Sequence, residues 1–117
     1  MTFSDAVRRV LVEKYATFEG RASRSEYWWY VLALVIIQFI AAAIDLGMIG
    51  RQVVTSLIGL ATVVPSLAVG CRRLHDTDRS GWWQLLFVVP LVGDIALIVL
   101  WALPGSPGAN RFGPPPA

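Results

Sequence analysis

Residues 27–48 read YWWYVLALVIIQFIAAAIDLGM, and this stretch decides the fold class. After its four opening aromatic residues, Gln38 and Asp45 are the only polar interruptions. Roughly 20 helical residues cross a hydrocarbon core of about 30 Å, so the stretch is long enough to span a bilayer. Aromatic residues at the start of such a run lie at the level of the lipid headgroups. We therefore predict a transmembrane helix over residues 27–48.

Two further apolar runs follow along the chain. Residues 53–70 carry no charge, and residues 83–103 carry one, Asp94. Both runs are long enough to cross a bilayer, so residues 27–103 are predicted to form an all-α membrane domain of three transmembrane helices. A tryptophan pair opens the first run and another opens the third, and we predict these residues as interfacial anchors: Trp28, Trp29, Trp82 and Trp83.

The segments on either side of this domain differ from it in composition. In residues 1–26, apolar side chains recur at helical spacing between positions 4 and 18, which predicts a short amphipathic helix. This helix either lies on the membrane surface or packs against the protein's own loops. Ser23 and Glu26 have the spacing of a capping box, which predicts the start of the first span. Residues 104–117 are rich in proline and glycine and are predicted to form a non-helical tail.

The overall composition excludes several classes of protein. Hydrophobic residues make up 56% of the chain and charged residues 15%, against about 45–50% and about 25% in soluble domains. The net charge is +2, but the basic residues border the apolar runs, which favours anionic lipid headgroups over nucleic acid as partners. The single cysteine, Cys71, excludes an intramolecular disulfide. Residues 1–19 lack the apolar core of a signal peptide, so insertion is expected to depend on the spans themselves.

The basic residues also predict an orientation. Eight Lys and Arg residues lie in the N-terminal segment and in residues 72–81, a polar stretch expected to form a surface loop, and Arg51 and Arg111 lie on the other side. The positive-inside rule therefore predicts a multi-pass protein with a cytoplasmic N-terminus, a cytoplasmic polar loop and an external tail. An alternative stays open, because Pro90 and Gly93 would allow the third run to fold back as a re-entrant pair. The tail would then lie on the same side as the loop.

Three motifs follow one another from about Phe18 onward. They are Gly20-Arg21, Ser23-Arg24 and Glu26-Tyr27-Trp28; Arg72-Arg73-Leu74-His75-Asp76 with Ser80-Gly81-Trp82-Trp83; and Pro104-Gly105 with Gly108 and Asn110-Arg111-Phe112-Gly113. This series resembles the motifs of the DUF805 family, small bacterial inner-membrane proteins of undefined function. The chain departs from the pattern at Asp78, where many members have glycine. The resemblance implies a bacterial inner-membrane location, but it supplies no reaction, ligand or catalytic residue.

Two catalytic or metal-binding interpretations of the second motif are weak. His75, Asp76 and Asp78 are residue types that bind metals, but no further His or Cys cluster completes a set of three or four ligands. Ser80 lacks the sequence of a nucleophile elbow, and His75 is adjacent in the chain to Asp76, the carboxylate that would have to orient it. We therefore predict no metal, no cofactor and no catalytic residue, and a protein that is not an enzyme.

A cluster of charged residues is the first candidate site: Arg21, Arg24, Glu26, Arg72, Arg73, His75, Asp76 and Arg79. Its arginines are expected at one membrane face, where guanidinium groups bind phosphate in a bidentate manner. One interpretation is therefore a phospholipid headgroup site. The other is structural, in which the arginines pair with Glu26, Asp76 and Asp78 and lock the loop against the first helix.

Asp94 is the second candidate site, because an ionisable residue within a span is a functional hypothesis by default. It would lie in an ion path, or it would be neutral and bonded to a neighbouring span. The leading function is a non-enzymatic membrane component that binds lipids or partner proteins at the cytoplasmic face. The alternative is a subunit of a small oligomeric channel or transporter that uses Asp94. Small residues on one face of the second span are expected to pack on another span and to offer a surface for a homo-oligomer or a membrane protein partner: Thr55, Gly59, Thr62, Ser66 and Gly70.

Overall fold

A computed structural model describes residues 2–116 of the protein, and the elements in these residues are helical. Apart from one isolated bridge near the end of the tail, this part of the chain contains no β-structure. The all-α prediction is therefore confirmed for these residues. The elements are α1 (Phe3–Arg8, continued by a π-helical turn, Arg9–Glu13), α2 (Arg24–Ile44, continued by a π-helical turn, Asp45–Ile49), α3 (Val53–Asp76), a 3-10 helix (Gly81–Val88) and α4 (Val92–Ala102).

The first two predicted spans are present as long apolar helices. With its π-helical turn, α2 covers 26 residues, and α3 covers 24, so both exceed the roughly 20 residues that a bilayer requires. α2 begins where the capping box predicted, because the Ser23 side chain accepts a hydrogen bond from the Glu26 backbone N–H at 3.2 Å. The carboxylate of Asp45 accepts from the backbone N–H groups of Val54 and Thr55, both at 2.9 Å. The end of α2 therefore caps the start of α3.

α3 continues six residues beyond its predicted end at Gly70 and ends at Asp76. The prediction of a surface loop over residues 72–81 is therefore wrong for residues 72–76. No proline or glycine follows Gly70 before Asp76, so nothing in the sequence interrupts the helix. Two residues after the end of the helix the chain turns at Asp78, whose φ of 60° is left-handed. The charged residues of the second motif are thus held on a helix and not on a loop.

Pro65 lies inside α3 and removes one backbone hydrogen bond. Proline has no N–H to donate to the carbonyl oxygen four residues earlier, which belongs to Ala61. The phenolic hydroxyl of Tyr15 donates a hydrogen bond to that oxygen instead. The N-terminal segment thus supplies the missing donor, and membrane helices tolerate internal proline on that condition.

The third apolar run forms a hairpin, and the prediction of one continuous span over residues 83–103 is wrong. The 3-10 helix ends at Val88, Leu91 takes a positive φ of 64°, and α4 then covers 11 residues. At about 1.5 Å per residue α4 is too short to cross a hydrocarbon core of about 30 Å. At the turn, a Cβ on Gly93 would lie 1.7 Å from the carbonyl oxygen of Leu86, so only glycine fits there.

Both limbs of this hairpin contact the same part of α3. In the first limb, Gln84 Nε2 donates to the carbonyl oxygen of Leu67 at 3.2 Å. In the second limb, the indole N–H of Trp101 donates to the carbonyl oxygen of Gly70 at 3.3 Å. The tail after α4 therefore lies at the end of the molecule that holds the first two motifs. The predicted separation of the tail from those motifs is wrong, and the fold-back alternative describes the chain.

The N-terminal helix packs against α2. It continues through its π-helical turn to Glu13 and ends before the predicted limit at residue 18. Val10 is buried in a core cluster with residues from α2 and α3. The ring of Phe3 meets that of Trp29 edge to face, with 5.7 Å between centroids. Contacts with α2 and α3 of the same chain therefore hold the amphipathic helix in place.

Candidate functional site

Five charged side chains are buried together at the C-terminal end of α3. We call them the polar core: Arg21, Glu26, Arg72, Arg73 and Asp76. None of them is more than 5% exposed. They come from the segment before α2, from the first turn of α2 and from the end of α3. Because an unpaired buried charge costs several kcal/mol, the partners of each side chain decide what this cluster does.

Glu26 is the partner of two arginines. Its carboxylate accepts a hydrogen bond from Nη1 of Arg72 and another from Nη1 of Arg9, the latter at 3.4 Å. Arg72 also donates through Nε to the carbonyl oxygen of Thr17 at 3.1 Å. Its Nη2 is buried without a hydrogen-bond partner among residues 2–116. Arg72 therefore joins α3 both to α2 and to the segment before it.

Asp76 holds the other two arginines, one on each carboxylate oxygen. Nε of Arg21 donates to Oδ1 at 2.9 Å, and Nη1 of Arg73 donates to Oδ2 at 2.5 Å. Further N–H groups of these arginines donate to backbone carbonyl oxygens at the end of α4 and in the tail: Trp101, Leu103, Ser106, Gly108 and Gly113. The two arginines therefore fasten the tail to the end of α3.

Contacts along the tail complete this attachment. At Gly105 the backbone passes so close to Asp76 that a Cβ would lie 2.0 Å from Oδ2. The side-chain amide of Asn110 donates to the carbonyl oxygen of His75 at 2.9 Å. The ring of Phe112 stacks on the His75 imidazole, with 4.0 Å between centroids. The third motif thus lies directly against the second.

The predicted charged cluster divides into paired and exposed residues. The five residues of the polar core come together with His75 beside them. Arg24 is exposed, and the half-buried Arg79 makes one long hydrogen bond through Nη1 to the carbonyl oxygen of Thr77, at 3.4 Å. Asp78 lies outside the polar core and pairs with Arg111 at 3.2 Å. This geometry favours the structural interpretation, because most guanidinium N–H groups of the polar core already have acceptors inside the protein.

The residues weighed for metal binding and hydrolysis have other contacts. Nδ1 of His75 lies 2.9 Å from the carbonyl oxygen of Gly20, and Nε2 lies 3.5 Å from Sγ of Cys71. Among residues 2–116, no group of three His, Cys, Asp or Glu side chains converges on one point. Oγ of Ser80 accepts from the backbone N–H of Trp82 at 3.3 Å. Ser80 therefore acts as the N-cap of the 3-10 helix.

Asp94 lies in the first turn of α4, next to the turn of the hairpin. Its Oδ1 is buried and has no hydrogen-bond partner in the described part of the chain. The predicted interfacial anchors differ in exposure. Trp29, Trp82 and Trp83 are exposed, whereas Trp28 is half-buried and meets Tyr27 edge to face.

The small residues of α3 face other parts of the same chain. Oγ1 of Thr55 donates to Asp45 at 2.8 Å. Oγ of Ser66 lies 2.6 Å from Oη of Tyr30. Gly70 lies against the hairpin, with side chains of both limbs near the position of a Cβ. This face therefore packs on α2 and on the hairpin within one molecule.

A cavity of about 410 Å³ lies between α2, α3 and the hairpin. Its volume is in the range of small-molecule sites, about 300–1,000 Å³. No charged side chain, Asp94 included, is among the residues that line it: Tyr27, Tyr30, Val31, Leu34, Gly59, Thr62, Val63, Ser66, Leu67, Gln84, Phe87, Leu97 and Trp101. Trp101 joins the cavity to the polar core, because its carbonyl oxygen accepts from Arg73 at 2.8 Å.

Sequence reasoning missed this cavity and the residues that line it. Two signals were present in the third apolar run. Gln84 is the only polar side chain between Trp83 and Asp94, and Trp101 is a lone aromatic residue at the end of the run. Neither signal is specific, because the cavity exists only when the run folds back onto α3.

Comparison with known proteins supplies the family. A family model described as "Protein of unknown function (DUF805)" matches residues 15–114. The chain belongs to the DUF805 family. Two proteins of Escherichia coli (strain K12) are similar to it. Inner membrane protein YhaH is 43% identical over 112 residues, with 91% of this chain and 92% of YhaH covered. Inner membrane protein YhaI is 44% identical over 108 residues, with 91% of each chain covered. Uncharacterized protein YiiR of the same strain is 28% identical over 126 residues, with 83% of this chain and 84% of YiiR covered. Among solved structures, none matches the chain.

The DUF805 motifs quoted from the sequence meet in one place in the structure. Arg21 and Glu26 belong to the first motif, Arg73 and Asp76 to the second, and Gly105 to the third, and all lie in the polar core or against it. Relatives named as inner membrane proteins and two membrane-length apolar helices together show a membrane protein of undefined activity. The motifs that this chain shares with the DUF805 family therefore include residues that hold its segments together.

Proposed function

We propose that the protein is a non-enzymatic component of the bacterial inner membrane that binds lipid, with one acyl chain in the cavity between α2, α3 and the hairpin. The observation that carries the proposal is an uncharged cavity of about 410 Å³ beside two helices of membrane length. An acyl chain is the apolar ligand that a bilayer supplies in greatest abundance. The polar core is the alternative headgroup site, and its arginines are largely paired inside the protein.

A cavity-filling substitution tests lipid binding. Leu97 is fully buried and lines the cavity, whereas the neighbouring Ile98 is 52% exposed. Purified protein in nanodiscs is photolysed with a phosphatidylcholine that carries a diazirine on one acyl chain, and crosslinks are mapped by mass spectrometry. Crosslinks to cavity-lining peptides should fall several-fold in Leu97→Trp and persist in Ile98→Trp. Crosslinks confined to outward-facing residues such as Phe39, or equal in both variants, would contradict the proposal.

The proposal includes a topology with two crossings, by α2 and α3, and a hairpin that enters from the cytoplasmic side. Nine of the ten Lys and Arg residues lie before α2, at its first residue, at the end of α3 or after α3, and Arg51 alone lies between the two helices. This asymmetry supports a cytoplasmic N-terminal segment and a cytoplasmic tail.

Cysteine labelling tests this topology. Ala109 and Arg51 are both exposed, one in the tail and the other between α2 and α3. In a Cys71→Ser background, a membrane-impermeant maleimide added to intact spheroplasts should label Arg51→Cys, and Ala109→Cys only after lysis. Labelling of Ala109→Cys in intact spheroplasts would show an external tail and rule the arrangement out.

A further inference from the structure

The cavity has a polar end and an apolar end. Tyr27 and Tyr30 line it near the start of α2, and Ser66 lines it on the half of α3 that leads to the polar core. Deeper along the helices, the lining is mainly apolar and includes Leu34 and Leu97, and the Thr62 hydroxyl there donates to a carbonyl oxygen of its own helix at 2.8 Å. A ligand with one hydrogen-bonding group and one hydrocarbon chain would therefore have a single favourable orientation, with its polar group towards the polar core.

The polar end offers one hydroxyl hydrogen that a ligand can use. Oη of Tyr30 and Oγ of Ser66 lie 2.6 Å apart and share one hydrogen bond. Because the two hydroxyl groups carry two hydrogens, one O–H is left for a further acceptor, and a ligand would compete for it with the hydroxyl of Thr62 beside Tyr30. The lining contains no Lys or Arg. The group that fits this end is therefore an uncharged hydrogen-bond acceptor and not a phosphate.

We infer that this end binds the ester carbonyl of an acyl lipid, a conclusion that rests on the proposed function. The carbonyl oxygen accepts from the remaining O–H of the Tyr30–Ser66 pair, and the chain attached to it extends past Leu97. The depth agrees with this assignment, since Tyr30 closes the aromatic cluster that opens the first span, and such clusters lie at the membrane interface. The ester groups of lipids lie between their headgroups and the hydrocarbon core.

Paired lipids that differ in the carbonyl test the inference. Diester and diether phosphatidylcholines with equal chains compete, in nanodiscs, against the diazirine lipid for crosslinking to the cavity. One hydrogen bond predicts a preference of about 2- to 10-fold for the diester lipid in the unmodified protein. The double variant Tyr30→Phe/Ser66→Ala should lose that preference. Tyr15→Phe should keep it, because the Tyr15 hydroxyl bonds to Ala61 and Tyr15 does not line the cavity.

The outcomes separate the inference from the proposed function. Cavity crosslinking with equal competition by the two lipids overturns the ester assignment and leaves acyl-chain binding in place. An absence of cavity crosslinking overturns both. A preference that survives in Tyr30→Phe/Ser66→Ala, with near-ultraviolet circular dichroism showing a folded protein, also overturns the assignment. Loss of the diester preference in Tyr30→Phe/Ser66→Ala, with the preference kept in Tyr15→Phe, supports the ester assignment.

Discussion

The two halves of α3 differ sharply in their surroundings. Between Pro65 and Asp76, nine residues are buried, among them Arg72 and Arg73. Between positions 53 and 64 none is buried, and Leu60 is 74% exposed. The first half therefore leaves apolar side chains for lipid, whereas the second half makes most of the helix's contacts with the rest of the chain.

The difference shows where the fold is specified. Apolar contacts contribute little free energy to helix association in a membrane, because lipid tails are as apolar as leucine. Close packing of small residues and hydrogen bonds supply the association instead. In this protein the hydrogen bonds are concentrated at the polar core, where segments far apart in sequence meet. Substitutions there should destabilise the protein far more than substitutions in the other half.

Asp76→Asn should have the largest effect. The substitution removes the charge that Arg21 and Arg73 share, and breaking a buried ion pair costs about 3–5 kcal/mol. We expect a clear drop in the thermal unfolding midpoint in detergent, followed by tryptophan fluorescence, and release of the tail to proteolysis. Asp78→Asn is the matched control, because its pair with Arg111 is exposed and such pairs contribute about 0–1 kcal/mol. Equal midpoints for the two variants would remove the distinction between the polar core and the surface.

Gly93→Ala should have the next largest effect, at the turn of the hairpin. A Cβ there would lie 1.7 Å from the carbonyl oxygen of Leu86, so the two limbs must separate. Overpacking of this kind costs about 1–3 kcal/mol, and the unfolding midpoint in detergent should fall accordingly. Gly47→Ala is the control, since nothing lies within 4 Å of its Cβ position. An unchanged midpoint in Gly93→Ala would show that the turn is not closely packed.

The sequence was sufficient to predict the two long helices and the start of α2. Their signals are local, because an apolar run of sufficient length and the capping residues Ser23 and Glu26 depend on neighbours in the chain. The sequence left the hairpin open as an alternative and could not decide in its favour, because the composition of an apolar run is the same whether the run crosses a membrane or folds back within it. Pro90 and Gly93 indicated the turn, but both residues also occur in continuous membrane helices.

The pairing within the charged cluster was also beyond prediction. Arg21 and Asp76 are 55 positions apart, and which arginine pairs with which carboxylate depends on the packing of α2 against α3. The extension of α3 to Asp76 placed these groups on a rigid helix, where a loop was expected. The cavity lies between α2, α3 and the hairpin, so a continuous third span does not predict it.

The smallest expected effect lies between the two halves of α3, at Pro65. Tyr15→Phe leaves the carbonyl oxygen of Ala61 without a donor, which should cost about 1 kcal/mol. Pro65→Ala restores a backbone N–H four residues after Ala61, so the same tyrosine substitution in that background should cost almost nothing. A double-mutant cycle from unfolding midpoints in detergent isolates this coupling, because the two residues share one acceptor. Additive effects would show that Tyr15 contributes by packing alone and that the boundary between the halves of α3 does not depend on its hydroxyl.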